Sequence, residues 1–207
     1  PITVNGKEWN STMLPPGVTN SRDLANLLTF LRRQFGGVEK AAYTPEQMDA
    51  IRRELRRGGQ VYYLHNDVAS IERVAAGIRE RVPEARIGIG HGKMSEQELS
   101  EVWRRLMEHE IDVLVCTTII ETGVDVPNAN TLIIDNADRM GLSQLHQLRG
   151  RVGRGTRQSY CVFFGADKGQ VARERLRILC RTGDGFEVAR ADLAQRGPGD
   201  FFGQRQH

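Results

Sequence analysis

The chain has 207 residues, and its 29 basic and 26 acidic side chains leave a formal net charge of only +3. Its hydrophobic content of 39% is typical of an ordinary soluble globular protein with a core. No apolar run approaches the roughly 20 residues that span a bilayer, and no secretory signal pattern opens the chain. We therefore expect a cytoplasmic protein without a membrane partner. A net charge this small does not by itself indicate nucleic-acid binding.

The three cysteines, Cys116, Cys161 and Cys180, are odd in number and widely spaced. Cys116 and Cys161 lie inside apolar runs that are typical of strands. We therefore interpret them as buried, reduced thiols rather than as a disulfide or a metal site, and we predict no metal ligands.

The first predicted element is a helix that follows a polar start. Leucines recur at helical spacing over residues 24–31, and polar residues that can cap a helix precede them. This pattern predicts a helix over residues 20–34, which a pair of glycines ends. We assign residues 1–37 to an N-terminal helical or linker segment whose role the sequence does not indicate.

A second helix is predicted to begin after Thr44. Thr44 is a suitable N-cap, Pro45 fits the first helical position, and Glu46 adds negative charge to the first turn. The helix is expected to run to about Arg57, where a second pair of glycines stops it.

The pattern then changes to strands that alternate with amphipathic helices. Apolar spacing predicts helices over residues 68–82 and 95–108, and the second helix opens with a capping-box pair, Ser95 and Glu98. Five apolar runs predict strands: Val61–Leu64, Arg86–Ile89, Val113–Cys116, Thr131–Ile134 and Tyr160–Phe164. Such strands imply an α/β domain with a parallel sheet and helices on both faces, which we assign to residues 38–166.

The last part of the chain has a different pattern. A basic helix is predicted over residues 171–181 and a second helix over residues 187–195, with a break between them. Gly197, Pro198 and Gly199 cannot continue a helix. We therefore predict that residues 167–207 form a helical hairpin followed by a hook.

The first segment that carries chemistry is CTTIIETGVDVP, residues 116–127, directly after a predicted strand. Ligands gather at the carboxyl ends of parallel strands. Thr117 and Thr118 can hydrogen-bond a phosphate, Gly123 allows the backbone to approach a ligand closely, and Asp125 can accept from a ribose hydroxyl or orient an arginine. The alternative is a plain loop whose threonines only cap, and this segment alone does not decide between the two.

The second segment is QLRGRVGR, residues 147–154, which interleaves two glycines with three arginines. Glycine costs about 1 kcal/mol in a helix, so this pattern is unsuited to a solvated helix face. It suits a tight backbone turn from which guanidinium groups converge on one anion. The alternative is a surface basic patch, which would also include Arg157.

Together the two segments resemble motifs V and VI of superfamily-2 helicases, in the order and near the spacing of that family. His91-Gly92-Lys93-Met94 is similar to the turn that contacts DNA in these proteins, and residues 58–165 resemble their second RecA-like domain throughout. GGQVYYLHNDVASI and TTIIETGVDVPNANTLII look like the transcription-repair coupling factor family, whereas DLAQRGPGDFFGQRQH looks more like the RecG family.

The resemblance implies roles for individual residues. Arg151 and Arg154 would be arginine fingers that reach the γ-phosphate of ATP, with Gln147 near the nucleotide. Gly123 and Asp125 would border the ribose. A further group would lie beside the DNA backbone: Thr117, Thr118, His91 and Gly92. In the hook, Arg196 and Gln206 would couple ATP turnover to movement along DNA.

No phosphate loop of the form G-x-x-x-x-G-K-[ST] and no D-E-x-H box occur in these 207 residues. The resemblance therefore implies that ATP and Mg²⁺ are bound mainly by a first RecA-like domain of the same polypeptide, and that this chain alone lacks ATPase activity. The other implied partners are double-stranded or branched DNA and, through further domains, RNA polymerase. The chosen interpretation is a motor domain of a DNA-repair translocase.

Two other classes of protein remain as alternatives. One is a degenerate helicase fold that serves as a nucleic-acid-binding or protein-interaction module without motor activity. Such a domain is expected to lose the arginine fingers first, and Arg151 and Arg154 are both present. The other is an independent small-molecule enzyme, which is weaker because the five histidines are scattered along the sequence.

Overall fold

The strands of this computed structural model, in chain order, are β1 (Ile2–Val4), β2 (Lys7–Trp9), β3 (Ala25–Leu31), β4 (Gln60–Leu64), β5 (Ile87–Gly90), β6 (Val113–Cys116), β7 (Ala129–Ile134) and β8 (Ser159–Gly165). Six of them form one sheet in the order β3-β8-β7-β4-β6-β5, and every neighbouring pair is parallel. The structure describes residues 2–4, 7–9, 25–31, 44–122, 124–165 and 170–196. The predicted α/β fold with a parallel sheet is thus confirmed.

The N-terminal segment contributes strands, and the helix predicted over residues 20–34 is wrong. Residues 25–31 form β3, which pairs in parallel with β8 from Ala25 opposite Ser159 to Leu31 opposite Gly165. The run ANLLTFL fits helical spacing, but a short and mostly apolar run fits a buried parallel strand equally well. Before it, β1 and β2 form a separate antiparallel pair.

The helices are α1 (Pro45–Arg56), α2 (Ile71–Arg81), α3 (Glu96–Met107), α4 (Leu142–Arg149), α5 (Gln170–Arg181) and α6 (Gly185–Arg196). The helix starts predicted at Thr44 and Ser95 are confirmed as the starts of α1 and α3. Thr44 with Gln47 and Ser95 with Glu98 form complete capping boxes, in which each pair satisfies two backbone N–H groups that the helix leaves free.

Two hydrophobic cores cover the two faces of the sheet. Alternate residues of one strand point to opposite faces, so Tyr62 and Leu64 join one core while Val61 and Tyr63 join the other. The first core is covered by α3, α4, α5 and α6, and the second by α1 and α2. Helices therefore lie on both faces, as the sequence predicted.

The last two helices pack against the sheet domain through buried side chains, among them Leu179 of α5 and Val188 of α6. A short turn at residues 182–184 joins them, in agreement with the predicted hairpin. The predicted hook begins at Arg196, but the structure places Arg196 as the last residue of α6, and residues 197–207 lie outside the described residues. None of the helices in the described part of the chain is long and apolar enough to cross a membrane.

Candidate functional site

Two of the predicted site segments begin at the carboxyl edge of the sheet. β4, β5, β6 and β7 are parallel, so their last residues share one edge, where α/β proteins bind their ligands. The turn at His91 follows β5 directly, and the segment that begins at Thr117 follows β6 directly. Two segments that are 26 residues apart in sequence thus start side by side, because Gly90 pairs with Cys116.

Gly90 allows these two segments to approach each other. Thr117 N donates to Gly90 O at 3.2 Å, and a 3₁₀ helix, Thr118–Thr122, follows. A Cβ atom at residue 90 would lie 2.8 Å from Cδ1 of Ile119, so any larger residue there requires Ile119 to move. The glycine therefore lets the 3₁₀ helix rest on the end of β5.

The residues predicted to lie beside DNA differ in their accessibility. Thr117 is only 7% exposed, whereas Thr118 and His91 are half-buried and Gly92 is exposed with open space around it. Nδ1 of His91 is buried without a hydrogen-bond partner among the described residues. The turn at His91 and Thr118 are thus better placed than Thr117 to contact a ligand through side chains.

Asp125 and Arg154, both predicted near the nucleotide, lie together. Arg154 Nη1 is 3.7 Å from Asp125 Oδ1, and the two side chains are 35% and 55% exposed. Gly153, with φ of +84°, adopts the left-handed conformation that glycine accommodates without strain, and it turns the chain just before Arg154. The arrangement presents one guanidinium and one carboxylate to solvent.

Arg151 and Gln147 lie beside this pair in sequence, at the end of α4. The apolar face of α4, made by Leu142, Leu145 and Leu148, is fully buried. Gln147 is exposed, and Arg151 is half-buried with its Nε buried and unpaired within the described residues. An uncommitted guanidinium is available to bind an anion. Gly123, predicted to border the ribose, lies outside the described residues.

The basic patch predicted from four arginines is divided in the structure. Arg149 Nη1 donates to the carbonyl oxygens of Leu179 and Thr182, at 2.9 and 2.8 Å, and burial lowers the pKa of its guanidinium. Arg157 Nη1 donates to Arg57 O at 2.8 Å. Arg149 therefore holds the C-terminal end of α5 and is committed there, whereas Arg157 holds the end of α1 through Nη1 and stays exposed.

One polar link within the site was not predicted from the sequence. Gln144 Nε2 of α4 donates to Glu121 Oε1 of the 3₁₀ helix, at 3.1 Å. It joins α4, which carries Gln147 and precedes the predicted fingers, to the 3₁₀ helix that carries Thr118. The two residues lie 23 positions apart, and although Glu121 belongs to the segment of residues 116–127, nothing in the sequence predicts that Gln144 contacts it.

The structure also brings a histidine, a carboxylate and a hydroxyl together at this edge. His65 Nδ1 lies 3.0 Å from Asp135 Oδ2, and His65 Nε2 lies 2.8 Å from Ser70 Oγ. Ser70 Oγ also donates to Asp67 Oδ2, so its hydrogen is held by a carboxylate and the hydroxyl is not activated as a nucleophile. The cluster ties the ends of β4 and β7 to the start of α2.

The structure does not describe the side chains of the two residues predicted to couple ATP hydrolysis to movement along DNA. Arg196 is the last residue of α6, and its side chain is not among those described. Gln206 lies outside the described residues. Their roles stay predictions.

The chain is similar in sequence to a group of bacterial repair proteins. The chain is 53% identical over 165 residues to the transcription-repair-coupling factor of Bacillus subtilis, and 50% identical over 164 residues to that of Escherichia coli. These alignments cover 77% and 76% of this chain but only 14% of each relative. The chain thus spans about a seventh of the length of the curated relatives that it matches.

Comparisons with solved structures and with protein-family models also indicate a helicase domain. The structure of RecG bound to a three-way DNA junction matches with a TM-score of 0.71 and 36% identity, over 90% of this chain and 24% of that chain. The helicase conserved C-terminal domain matches residues 46–156, more than half of the chain. The chain therefore belongs to the helicase conserved C-terminal domain family, with a RecA-like fold similar to that of RecG and a sequence similar to the transcription-repair-coupling factors.

Proposed function

We propose that the chain is the second motor domain of an ATP-dependent double-stranded-DNA translocase that acts in DNA repair. The observation that carries the proposal is the ion pair of Arg154 with Asp125, because it joins the two segments whose residues suggested nucleotide chemistry. In this proposal the domain closes on a nucleotide that a first RecA-like domain holds.

The arginines supply the chemistry of this half of the cleft. Negative charge spreads over the γ-phosphate oxygens as phosphoryl transfer proceeds, and a guanidinium stabilises it by charge-assisted hydrogen bonds. Arg151 and Arg154 are the proposed fingers. Asp125 orients Arg154 and, with Gly123, borders the ribose, while Gln147 lies near the nucleotide.

These residues fit the phosphate end of a nucleotide because the guanidinium of Arg154 is exposed and Asp125 lies beside it. They would bind ATP from one side only. Magnesium, which neutralises charge on the phosphates when it is bound, would be held mainly by the first domain. The phosphate loop and the acidic box that would perform this task do not occur in these 207 residues.

The proposed DNA-binding surface lies at the carboxyl edge of the sheet, where β5 and β6 end. Thr118, His91 and Gly92, together with the backbone of Thr117, would contact phosphates of double-stranded or branched DNA. Contacts to phosphates carry no base information, so movement would be indifferent to sequence. RNA polymerase is a proposed partner of domains outside this chain, because it is the partner that the resemblance to coupling factors implies.

An ATPase measurement tests whether this chain is half of a motor. We expect the purified 207-residue chain to release phosphate from ATP far more slowly than about 1 per second, the low end of typical enzymes, with or without DNA. A complete motor that contains this domain should exceed that rate when DNA is added. Turnover by the isolated chain at or above that rate would contradict the proposal.

A further inference from the structure

The finger loop, residues 150–158 between α4 and β8, carries the proposed finger Arg154, whose own side-chain contacts are long. Arg154 Nη1 lies 3.7 Å from Asp125 Oδ1, and Arg154 Nε donates to Gly150 O at 3.4 Å. Both distances exceed the roughly 2.7–3.2 Å of ordinary N–H···O hydrogen bonds. The position of this guanidinium therefore depends mainly on the contacts that fix the backbone of the loop.

Two arginines clamp the end of the finger loop to the end of α1, and each donates to a carbonyl beside the other. Arg57, the residue that follows α1, donates through Nη2 to Gln158 O, and Arg157 Nη1 donates to Arg57 O at 2.8 Å. The guanidinium carbon of Arg57 also lies 4.9 Å from the centroid of the Tyr160 ring, within the range of a cation–π contact. This clamp joins α1 to residues three and four positions after Arg154.

A buried carboxylate fixes the guanidinium of Arg57. Glu54 is 1% exposed, and its Oε2 accepts from Arg57 Nε at 3.0 Å and lies 2.9 Å from Arg57 Nη2. Thr131 Oγ1 of β7 donates to the same oxygen. A buried charge is costly unless it is paired, so Glu54 and Arg57 hold each other in place. Arg57 thus connects the core of the sheet to the finger loop.

The loop backbone is also held at two other places. At its start, Arg149 donates to carbonyl oxygens at the end of α5. In its middle, a Cβ atom at Gly155 would lie 2.8 Å from Pro127 O, so the loop backbone touches the segment that carries Asp125. The clamp at Arg57 and Arg157 completes this support on the side of β8.

We propose that Arg57 and Arg157 are positioning residues for ATP hydrolysis, which act by holding the loop that carries Arg154. The inference rests on the proposed function, in which Arg154 is a finger. A guanidinium that stabilises charge only in the transition state must already be in place, and a displacement of about 1 Å can cost roughly 10²-fold in rate. Loss of the clamp should therefore lower kcat and leave the binding of ATP and DNA unchanged.

The steady-state ATPase rate of a complete motor that contains this domain, with saturating DNA, tests the inference. Arg57→Lys keeps a charge opposite the buried Glu54 but loses the guanidinium fork, and Arg157→Ala removes an exposed side chain. We expect each variant to lower kcat about tenfold, with the KM for ATP and the Kd for DNA within about twofold of wild type. The matched control is Arg56→Lys, at the adjacent exposed arginine of α1, which should leave all three constants unchanged.

A double-mutant cycle with Arg154→Ala separates positioning from a purely structural role. Arg154→Ala alone should lower kcat about 10³-fold. In that background Arg57→Lys and Arg157→Ala should each lower kcat by less than about twofold more, because the guanidinium through which they act is already absent. If Arg57→Lys does not fold, the Arg157→Ala cycle decides alone.

Three results would contradict the account, and they differ in what they overturn. Wild-type kcat in Arg57→Lys and Arg157→Ala, when Arg154→Ala is inactive, would overturn the positioning role and leave the proposed function intact. Full multiplication of the two losses in the double variants would show that the clamp acts independently of Arg154, which also overturns it. Wild-type turnover in Arg154→Ala would contradict the finger itself, and the positioning role with it.

Discussion

Arg154 and Asp125 lie together shortly before the starts of β8 and β7, with Nη1 of the arginine 3.7 Å from Oδ1 of the aspartate. They lie 29 positions apart, and each comes from one of the two segments whose composition suggested chemistry. Both side chains remain partly exposed. An ion pair between side chains this exposed contributes little to the free energy of unfolding. We therefore interpret its role as positioning the guanidinium of Arg154.

The first prediction concerns Asp125 as the residue that orients Arg154. In a complete motor that contains this domain, Asp125→Ala and Asp125→Asn should raise the KM for ATP and lower kcat, each by about tenfold, because both remove the charge that directs the guanidinium. The matched control is Glu72→Ala, which removes an exposed acid on α2. Wild-type values of both constants in Asp125→Ala would exclude this role.

Arg149 is predicted to stabilise the fold rather than to bind phosphate. Arg149→Ala removes two charge-assisted hydrogen bonds to carbonyls of the α5 end, and we expect a loss of about 2 kcal/mol in the free energy of unfolding. Urea unfolding followed by circular dichroism measures it. Arg190→Ala, an exposed arginine of α6, should change the free energy by less than about 0.5 kcal/mol. Equal effects of the two substitutions would disprove the anchoring role.

DNA binding by the isolated chain should be weak, salt-sensitive and indifferent to sequence. The proposed contacts go to phosphates, and half of the DNA track would lie on another domain. Between about 50 and 200 mM salt we expect affinity to fall roughly tenfold or more, equally for unrelated duplexes. Thr118→Ala and His91→Ala should weaken binding more than Thr117→Ala, since Thr117 is buried. A strong preference for one duplex sequence would indicate a base-reading module instead.

Local patterns explain why much of the fold was predictable. The N-cap predicted at Thr44 and the capping box predicted at Ser95 depend on residues within one helical turn, and both are confirmed. The five strands of residues 60–165 are continuous apolar runs that no other element explains as well. Residues 25–31 were misassigned because the same apolar spacing suits a helix and a buried strand, and only pairing with the distant β8 decides between them.

Long-range contacts explain what the sequence left open in the site. Arg149 and Arg157 look equivalent to Arg151 and Arg154 in sequence, but their acceptors are backbone carbonyls 30 or more positions away. The cluster of His65 with Asp135 joins residues 70 positions apart. The helix α4 was also missed, because its short apolar face precedes the glycines and arginines that dominated the pattern.

The residues of the predicted hook should couple hydrolysis to movement. In a complete motor, Arg196→Ala and Gln206→Ala should retain DNA-stimulated ATPase activity but lose translocation, measured as displacement of a triplex strand. Neither residue belongs to the proposed nucleotide or DNA contacts, which is why hydrolysis should continue. A variant that displaces the triplex at the wild-type rate would exclude coupling, and parallel loss of both activities with loss of folding would indicate a structural cap.

The most direct test of the motor proposal is the rate of phosphate release by Arg151→Ala in a complete motor with saturating DNA. We expect a decrease of about 10³-fold or more, because an arginine finger stabilises charge only in the transition state. The Kd for DNA should stay within about twofold, because many phosphate contacts share the binding energy. Arg79→Ala, an exposed arginine on α2, should leave both values unchanged. Wild-type turnover in Arg151→Ala would contradict the assignment of this arginine as a finger.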